Sequence, residues 1–267
     1  MSSTFVAASG EGYELQMGRW SRRLAEPFLD FCGCADGEDI LDAGCGTGSL
    51  TFAIARRANP RSIRGVDLSS AYIQHATEQN HDPRIEFRVE DVCAFSFADA
   101  SFDRVLALLV LHFVPETDRA IAQLRRVARP GATVAATVWD ARGGFVANRI
   151  FFDTAAALDP KGNERRARNY TRPMTRPGEL LAAWQGAGFV DIRQATLSIR
   201  MEFASFEDYW APYVGKDGPG ADYVRPLTPA QQEHLREAVR NAYVDGEPDG
   251  LRSYAAIAWA VAGIVPA

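Results

Sequence analysis

The sequence predicts an α/β fold whose core is a parallel sheet covered by helices on both faces. Three observations carry this reading. Between about residues 36 and 140, apolar runs of strand length alternate with amphipathic runs of helix length. Those strand runs lack the polar alternation of a half-solvated sheet. A turn with glycines at every second position, Gly44, Gly46 and Gly48, joins the first strand to the helix behind it.

The elements follow in order. After a mixed opening of 20 residues, "SRRLAEPFLDFCG" reads as a helix, with Leu24, Phe28 and Phe31 at helical spacing, Ser21 as its N-cap and Gly33 as its stop. "DILDAG" is a short buried strand and "SLTFAIARRA" the helix after it. "RSIRGVDLS" repeats the theme, a strand ending at Asp67, followed by the helix "AYIQHATEQN". "RIEFRVEDV" is a strand ending at Asp91, and "FDRVLALLVL" a strongly apolar fourth one. The helix "TDRAIAQLRRVA", a turn at Arg129-Pro130-Gly131 and a fifth strand, "ATVAATVWD", complete this part. Beyond it, "FVANRIFFDTAAAL" is helical in pattern and "KGNERRARNYTRPMTRP" is arginine-rich. "PGELLAAWQGAGF" is a helix with Pro177 near its start and Gly186 and Gly188 at its end. "VDIRQATLSIRMEF" alternates as a strand. Residues 204–250 hold Phe206, Tyr209, Trp210, Tyr213 and Tyr223 and a helix, "PAQQEHLREAVRNAY", before the apolar strand "SYAAIAWAVAGIV" closes the chain.

Composition narrows the partners. The 267 residues carry a net charge of −5, so a strongly basic face and a nucleic-acid partner are not expected. The four cysteines, Cys32, Cys34, Cys45 and Cys93, match neither zinc-ligand spacing nor a secreted disulfide scaffold. No metal is expected. With no signal-peptide pattern and no run of 18 apolar residues, the expectation is a cytoplasmic protein without a membrane span, a monomer or homodimer.

The glycine turn sits where open α/β sheets bind ligands, beyond the carboxyl ends of the strands. A dinucleotide site favours G-x-G-x-x-G, whereas here the third glycine follows at G-x-G-x-G. Three acids at three strand ends sharpen the choice. Asp42, two residues before Gly44, would repel a pyrophosphate and suits a cationic group. Asp67, about 20 residues beyond the glycines, is placed to accept from both ribose hydroxyls. Asp91 suits the exocyclic amine of adenine. Any one of them taken singly reads equally well as a helix cap. Together they imply an adenosine with a zwitterionic, cationic tail and no phosphate.

On these residues the chain resembles the class I S-adenosylmethionine-dependent methyltransferases of the small-molecule type (the methyltransferase type 11 and 25 group). "ILDAGCGTGSLTFAIA", "GVDLSSAYIQHA", "VEDVCAFSF", "FDRVLALLVLHFVPE" and "LRRVARPGATVAATVW" are similar to that family's successive motifs, in order and at normal spacing. The resemblance implies a Rossmann-like seven-stranded sheet whose last strand, about 253–264, runs antiparallel, with 190–203 as its hairpin partner. S-adenosylmethionine is the implied cofactor and S-adenosylhomocysteine its product. Carried over residue by residue, Gly44, Gly46 and Gly48 line the methionyl portion and Asp42 takes its amino group. Asp67 binds the ribose with Leu68 beside the adenine. Asp91 takes the adenine amine while the Val92 N–H donates to the ring, and Ala107 and Leu108 face the methionyl region. In the preceding segment "YELQMGRWS", Arg19 pairs with the cofactor carboxylate and Tyr13 and Trp20 contribute to a lid; as a bare sequence feature, Arg19 is equally a solvated charge.

Methyl transfer from a sulfonium needs alignment above all, and a protein base only if the acceptor must lose a proton. His112, just past the fourth strand, is the best-placed base; it also reads as a packed loop histidine, and His75, His81 and His234 read as surface. The loop "ALLV" lacks the Asn/Asp-Pro-Pro-Tyr/Phe sequence of amino-methylating enzymes, which points to a small-molecule acceptor and leaves oxygen, nitrogen and carbon open. Phe145, Phe151, Phe152, Tyr170, Trp210 and Tyr213 are candidates for the acceptor wall, or for core. The arginines Arg165, Arg166, Arg168, Arg172 and Arg176 read as a solvated face, with an anionic substrate or an acidic partner as the alternatives. The expected organisation is one domain: an N-terminal lid and helix over 1–35, the cofactor core over 36–140, and 141–267 completing the sheet with substrate-covering insertions at about 141–176 and 204–250. The alternatives are a cofactor-binding protein without catalysis and an NAD(P)-dependent oxidoreductase.

Overall fold

A computed structural model of the chain describes residues 3, 4 and 9–267. Seven strands form one sheet: β1 (Asp39–Ala43), β2 (Ser62–Asp67), β3 (Ile85–Val89), β4 (Phe102–Leu108), β5 (Ala128–Trp139), β6 (Val190–Phe203) and β7 (Arg252–Ile264). Their order is β3-β2-β1-β4-β5-β7-β6. The first five run parallel, while β7 pairs antiparallel with both β5 and β6. The seven-stranded sheet with its antiparallel last strand is therefore as expected.

The order reverses at β1. Chain connections run outward from it to β2 and β3, then return to β4, which opens a crevice at the carboxyl ends of β1 and β4. The helices α1 (Gly10–Tyr13), α2 (Arg19–Cys32), α3 (Ser49–Arg57), α4 (Ser70–Glu78), α5 (Thr117–Val127), α6 (Val146–Leu158), α7 (Pro160–Tyr170), α8 (Glu179–Gly186), α9 (Phe206–Trp210), α10 (Pro219–Val224) and α11 (Pro229–Val244) complete the structure. Two apolar cores result, one on each face of the sheet. Leu24, Phe28, Ile40 and Leu106 belong to one, and Leu41, Val105, Leu124 and Trp184 to the other. Neighbouring residues of β1 and β4 thus feed opposite faces, which is why their sequences show no polar alternation.

Two expectations change. Ser21 does not cap a helix: a π-helical turn (Glu14–Gly18) joins α1 to α2, and Ser21 lies buried inside the resulting rod with its hydroxyl 3.1 Å from the Tyr13 hydroxyl. Ser9 is the cap instead, its side chain accepting from the Gly12 N–H. The strand expected to end at Asp91 stops at Val89, so Asp91 stands in the following turn, where it accepts from the Cys93 N–H at 2.8 Å. The arginine-rich run is helical over α7, capped by Asp159 with Pro160 at its first position. Gly33 does end α2, at φ 74°.

Candidate active site

The site is built on two turns that touch. At the end of β1 the chain turns through Gly44 at φ 73°, and a Cβ there would lie 2.4 Å from a Val110 methyl on the turn after β4. No side chain fits between these turns, and the left-handed backbone independently favours glycine. The N–H groups of Gly44 and Cys45 donate to the Val66 carbonyl, tying the turn to β2. Asp67, at the end of β2, clamps it further: Oδ2 accepts from the Gly46 N–H at 3.0 Å and Oδ1 from the Ser69 N–H at 2.9 Å. Burial raises the Asp67 carboxyl above its ordinary value, opposed by these N–H groups.

One cavity opens above the turns. Gly44, Gly46, Asp67, Leu68, Asp91 and Val92 line one end of it. Leu68 is 47% exposed, an apolar side chain presented beside two carboxylates. That combination fits a flat apolar ring carrying polar edges. The N-terminal segment covers this end. Tyr13, Gln16 and Met17 reach the cavity, and Tyr13 packs on Tyr72 with ring centroids 5.0 Å apart. The Thr47 hydroxyl donates to Glu14 Oε1 at 2.5 Å, pinning the cover to the glycine turn.

The turn after β4 adds Leu108, Leu109, Val110, His112 and Phe113 to the wall, and Trp139 and Phe145 line it as well. Leu109 sits at φ 61°, a left-handed conformation uncommon for leucine, its N–H held by the Thr137 carbonyl. His112 follows in a 3₁₀ turn (Leu111–Phe113), nearly buried, its Nδ1 without a hydrogen-bond partner among the described residues. Burial first, and the Arg172 charge second, hold its pKa well below the ordinary histidine value, so the ring is neutral near pH 7. A second cavity adjoins, sharing Gln16, Met17, Phe145, Asn148 and Pro219 with the first and walled by Trp20, Phe203, Tyr209 and Tyr213.

Several expected site residues stand elsewhere. Arg19 is turned away: its Nη1 binds both oxygens of Asp208 at 2.9 and 3.1 Å, and its guanidinium lies 4.2 Å over the Trp20 ring. Gly48 is absent from the cavity wall. It precedes α3 at φ 90°, where a Cβ would meet Phe52 at 2.7 Å, so close packing under the helix explains it. Ala107 lies inside β4, wholly buried on the face opposite the one Leu108 serves. Tyr170 is drawn off by Asp153, to which its hydroxyl donates at 3.2 Å, and Trp210 packs between Phe151 and Phe206. Phe151 and Phe152 are core. Tyr213 lines the second cavity only, stacked on Phe151 at 3.9 Å, and Trp20 is likewise buried beside that cavity rather than over the first. Conversely, Gln16 and Glu90, inside quoted motifs but not singled out, and Asn148, Asn169 and Thr175, which no motif announces, line the main cavity.

Asp42 is fully buried under the turn and does not line the cavity. Its Oδ2 accepts from the Thr51 hydroxyl at 2.6 Å and its Oδ1 has no partner among the described residues. Burial raises its pKa to about 7. An acid raised in this way binds more protons folded than unfolded between its unfolded value and about pH 7. Stability contributed by the neutral carboxyl therefore falls as pH rises through that window and is lost above it. Asp42→Asn, which keeps an acceptor for Thr51, is expected to flatten this dependence and to gain a few kcal/mol over the parent above pH 7. Urea unfolding across that pH range checks it; equal slopes for the two proteins would refute the assignment.

The comparisons with known proteins agree with this geometry. The family described as "Methyltransferase domain" matches residues 40–131, from β1 into the first residues of β5. Over these residues the chain matches a methyltransferase domain. Over 117 residues it is 35% identical to 27-O-demethylrifamycin SV methyltransferase of Amycolatopsis mediterranei (strain S699), covering 42% of this chain and 43% of that one. Over 203 residues it is 27% identical to nocamycin O-methyltransferase of Saccharothrix syringae, covering 70% and 71%. Alignments to the first curated relatives span less than half of each, from 42% to 46%. The Haemonchus contortus phosphoethanolamine N-methyltransferase 2, solved with phosphomonomethylethanolamine and S-adenosylhomocysteine, shares the domain's fold at TM-score 0.60 and 16% identity, over 97% of this chain and 57% of that one. Among the described residues no helix is long and apolar enough to cross a membrane.

Proposed function

We propose that the chain is an S-adenosylmethionine-dependent methyltransferase acting on a small molecule. The observation that carries this is one cavity lined by a glycine turn, two carboxylates and an exposed leucine together with a buried histidine on the turn after β4. S-adenosylmethionine, when bound, supplies an already activated methyl group. The chain's own residues then bind, orient and exclude water. Asp67, clamped by Gly46 and Ser69, has acceptor capacity left on both oxygens for the ribose hydroxyls. Asp91, Val92 and Leu68 offer polar and apolar contacts to adenine, while Gly44 and Gly46 let backbone approach the methionyl portion. Asp42 supports the turn from beneath. His112 is the base that the turn after β4 offers to an acceptor that must lose a proton. Tyr13 and Met17 from the N-terminal segment, with Asn148 and Tyr213 from the two later insertions, support a substrate-covering region built from all three. A non-catalytic cofactor-binding role is the second reading, since alignment requires few obligatory side chains.

Calorimetric titration with S-adenosylhomocysteine and with NADH tests the assignment. Binding of the first alone is expected; NADH binding in its place would restore the dinucleotide reading. Once an acceptor turns over, His112→Ala should lower kcat about a hundredfold and leave S-adenosylhomocysteine affinity unchanged. An unaltered kcat would remove His112 from the chemistry.

A further inference from the structure

We propose that the methyl acceptor carries an anionic oxygen group, a carboxylate in the simplest case, on an apolar body, and that Arg172 binds it. The inference rests on the methyltransferase reading and deepens it.

The arginine-rich run separates into two kinds of residue. Arg165 pairs with Asp222 at 3.2 Å, Arg166 with Asp153 at 2.5 Å and Arg176 with Glu179 at 3.7 Å, while Arg168 is exposed. Arg172 alone of the run lines the main cavity. Its Nη2 donates to Asn169 Oδ1 at 3.0 Å, and its guanidinium lies 4.4 Å over the Phe113 ring. No carboxylate among the described residues is within ion-pairing distance. Asp222, whose charge reaches it, is already engaged by Arg165 and Arg225.

Arg172 is only partly exposed, and a guanidinium drawn partly out of water without a counter-charge favours a ligand that supplies one. Burial accordingly pushes Arg172 down to about 10, with the neighbouring Arg165 charge acting the same way. Nε and Nη1 have no protein partner among the described residues, and a guanidinium edge is shaped for two carboxylate oxygens. The charges along the cavity set the ligand's direction. The carboxylates of the lining, Asp67, Glu90 and Asp91, stand at the ends of β2 and β3 and repel an acid from there, whereas Arg172 comes from the segment after α7 and has no carboxylate partner among the described residues. His112 beside it stays neutral, so the positive charge here is concentrated on Arg172. Phe113, Trp139 and Phe145 complete an apolar surround suited to the rest of the acceptor.

The competing role for Arg172 is the cofactor's own carboxylate, and the experiment separates the two. Naphthoate and its uncharged analogue naphthamide are titrated by calorimetry into the full chain, with and without saturating S-adenosylhomocysteine, using the parent protein, Arg172→Lys and Arg172→Met. The parent is expected to prefer naphthoate by about tenfold or more. Arg172→Met should lose the preference, Arg172→Lys should keep part of it, and S-adenosylhomocysteine affinity should be the same in all three. No preference in the parent overturns the proposal without any variant having to fold. So does a preference that survives in Arg172→Met, and a loss of S-adenosylhomocysteine affinity there reassigns the arginine to the cofactor. Failure of S-adenosylhomocysteine to bind the parent would sink the methyltransferase reading itself, while the naphthoate preference without it still reports on Arg172.

Discussion

Asp67→Ala is expected to weaken S-adenosylhomocysteine binding about a hundredfold, a change of about 3 kcal/mol. Two effects add. On the proposed reading the carboxylate accepts from the ribose, and charged hydrogen bonds contribute more than neutral ones. It also holds the Gly46 N–H at 3.0 Å, so its removal frees the glycine turn that must present its backbone to the ligand. Asp67→Asn retains one acceptor oxygen and should lose less. Calorimetric titration measures both variants, with thermal unfolding showing that each remains folded. An affinity unchanged in the alanine variant would mean the ligand does not use the β2 terminus, and the cofactor assignment would have to be rebuilt.

The second large effect is on stability. Trp184 on α8 is fully buried, donates its indole N–H to the Val134 carbonyl at 3.1 Å and packs on Phe189 at 5.5 Å. It locks α8 against the face of the sheet where β5 meets the antiparallel β7, and a Cβ at Gly263 would already stand 3.0 Å from it. Trp184→Ala should destabilise the fold by about 3–5 kcal/mol, combining lost apolar burial with a cavity that the rigid sheet cannot close. Urea unfolding with an unchanged slope measures this. A loss below about 1 kcal/mol would mean that α8 is not held by this side chain.

Much of the fold was legible because it rests on local rules. The runs "DILDA", "SIRGVD" and "FDRVLAL" carry apolar residues at neighbouring positions rather than in strict alternation, since each strand feeds a core on both faces of the sheet. Gly33 and the glycines of the first turn mark positions that a left-handed backbone requires. Ser21 misled because a serine before an amphipathic run looks like a cap whether or not a preceding π-helical turn extends the rod. Asp67, Asp91, Gly44 and Gly46, singled out in the sequence, all line the main cavity because they stand at or just beyond strand ends. The rest of the lining was less legible. Asn148, Asn169, Arg172 and Thr175 come from insertions whose own sequence carries no motif for the cavity.

By itself, then, the sequence determined the alternation of strands and helices, the glycine turn and the acids near the ends of the first three strands, because backbone conformation and burial period are written in neighbouring residues. Only the tertiary structure decided which charges find partners. Arg19 and Arg172 are the same residue type in similarly charged runs, yet Asp208 captures one and no carboxylate among the described residues captures the other. Pairing depends on residues far apart along the chain, such as Arg19 and Asp208 brought together by α2 and α9, and that proximity exists only once the sheet has assembled.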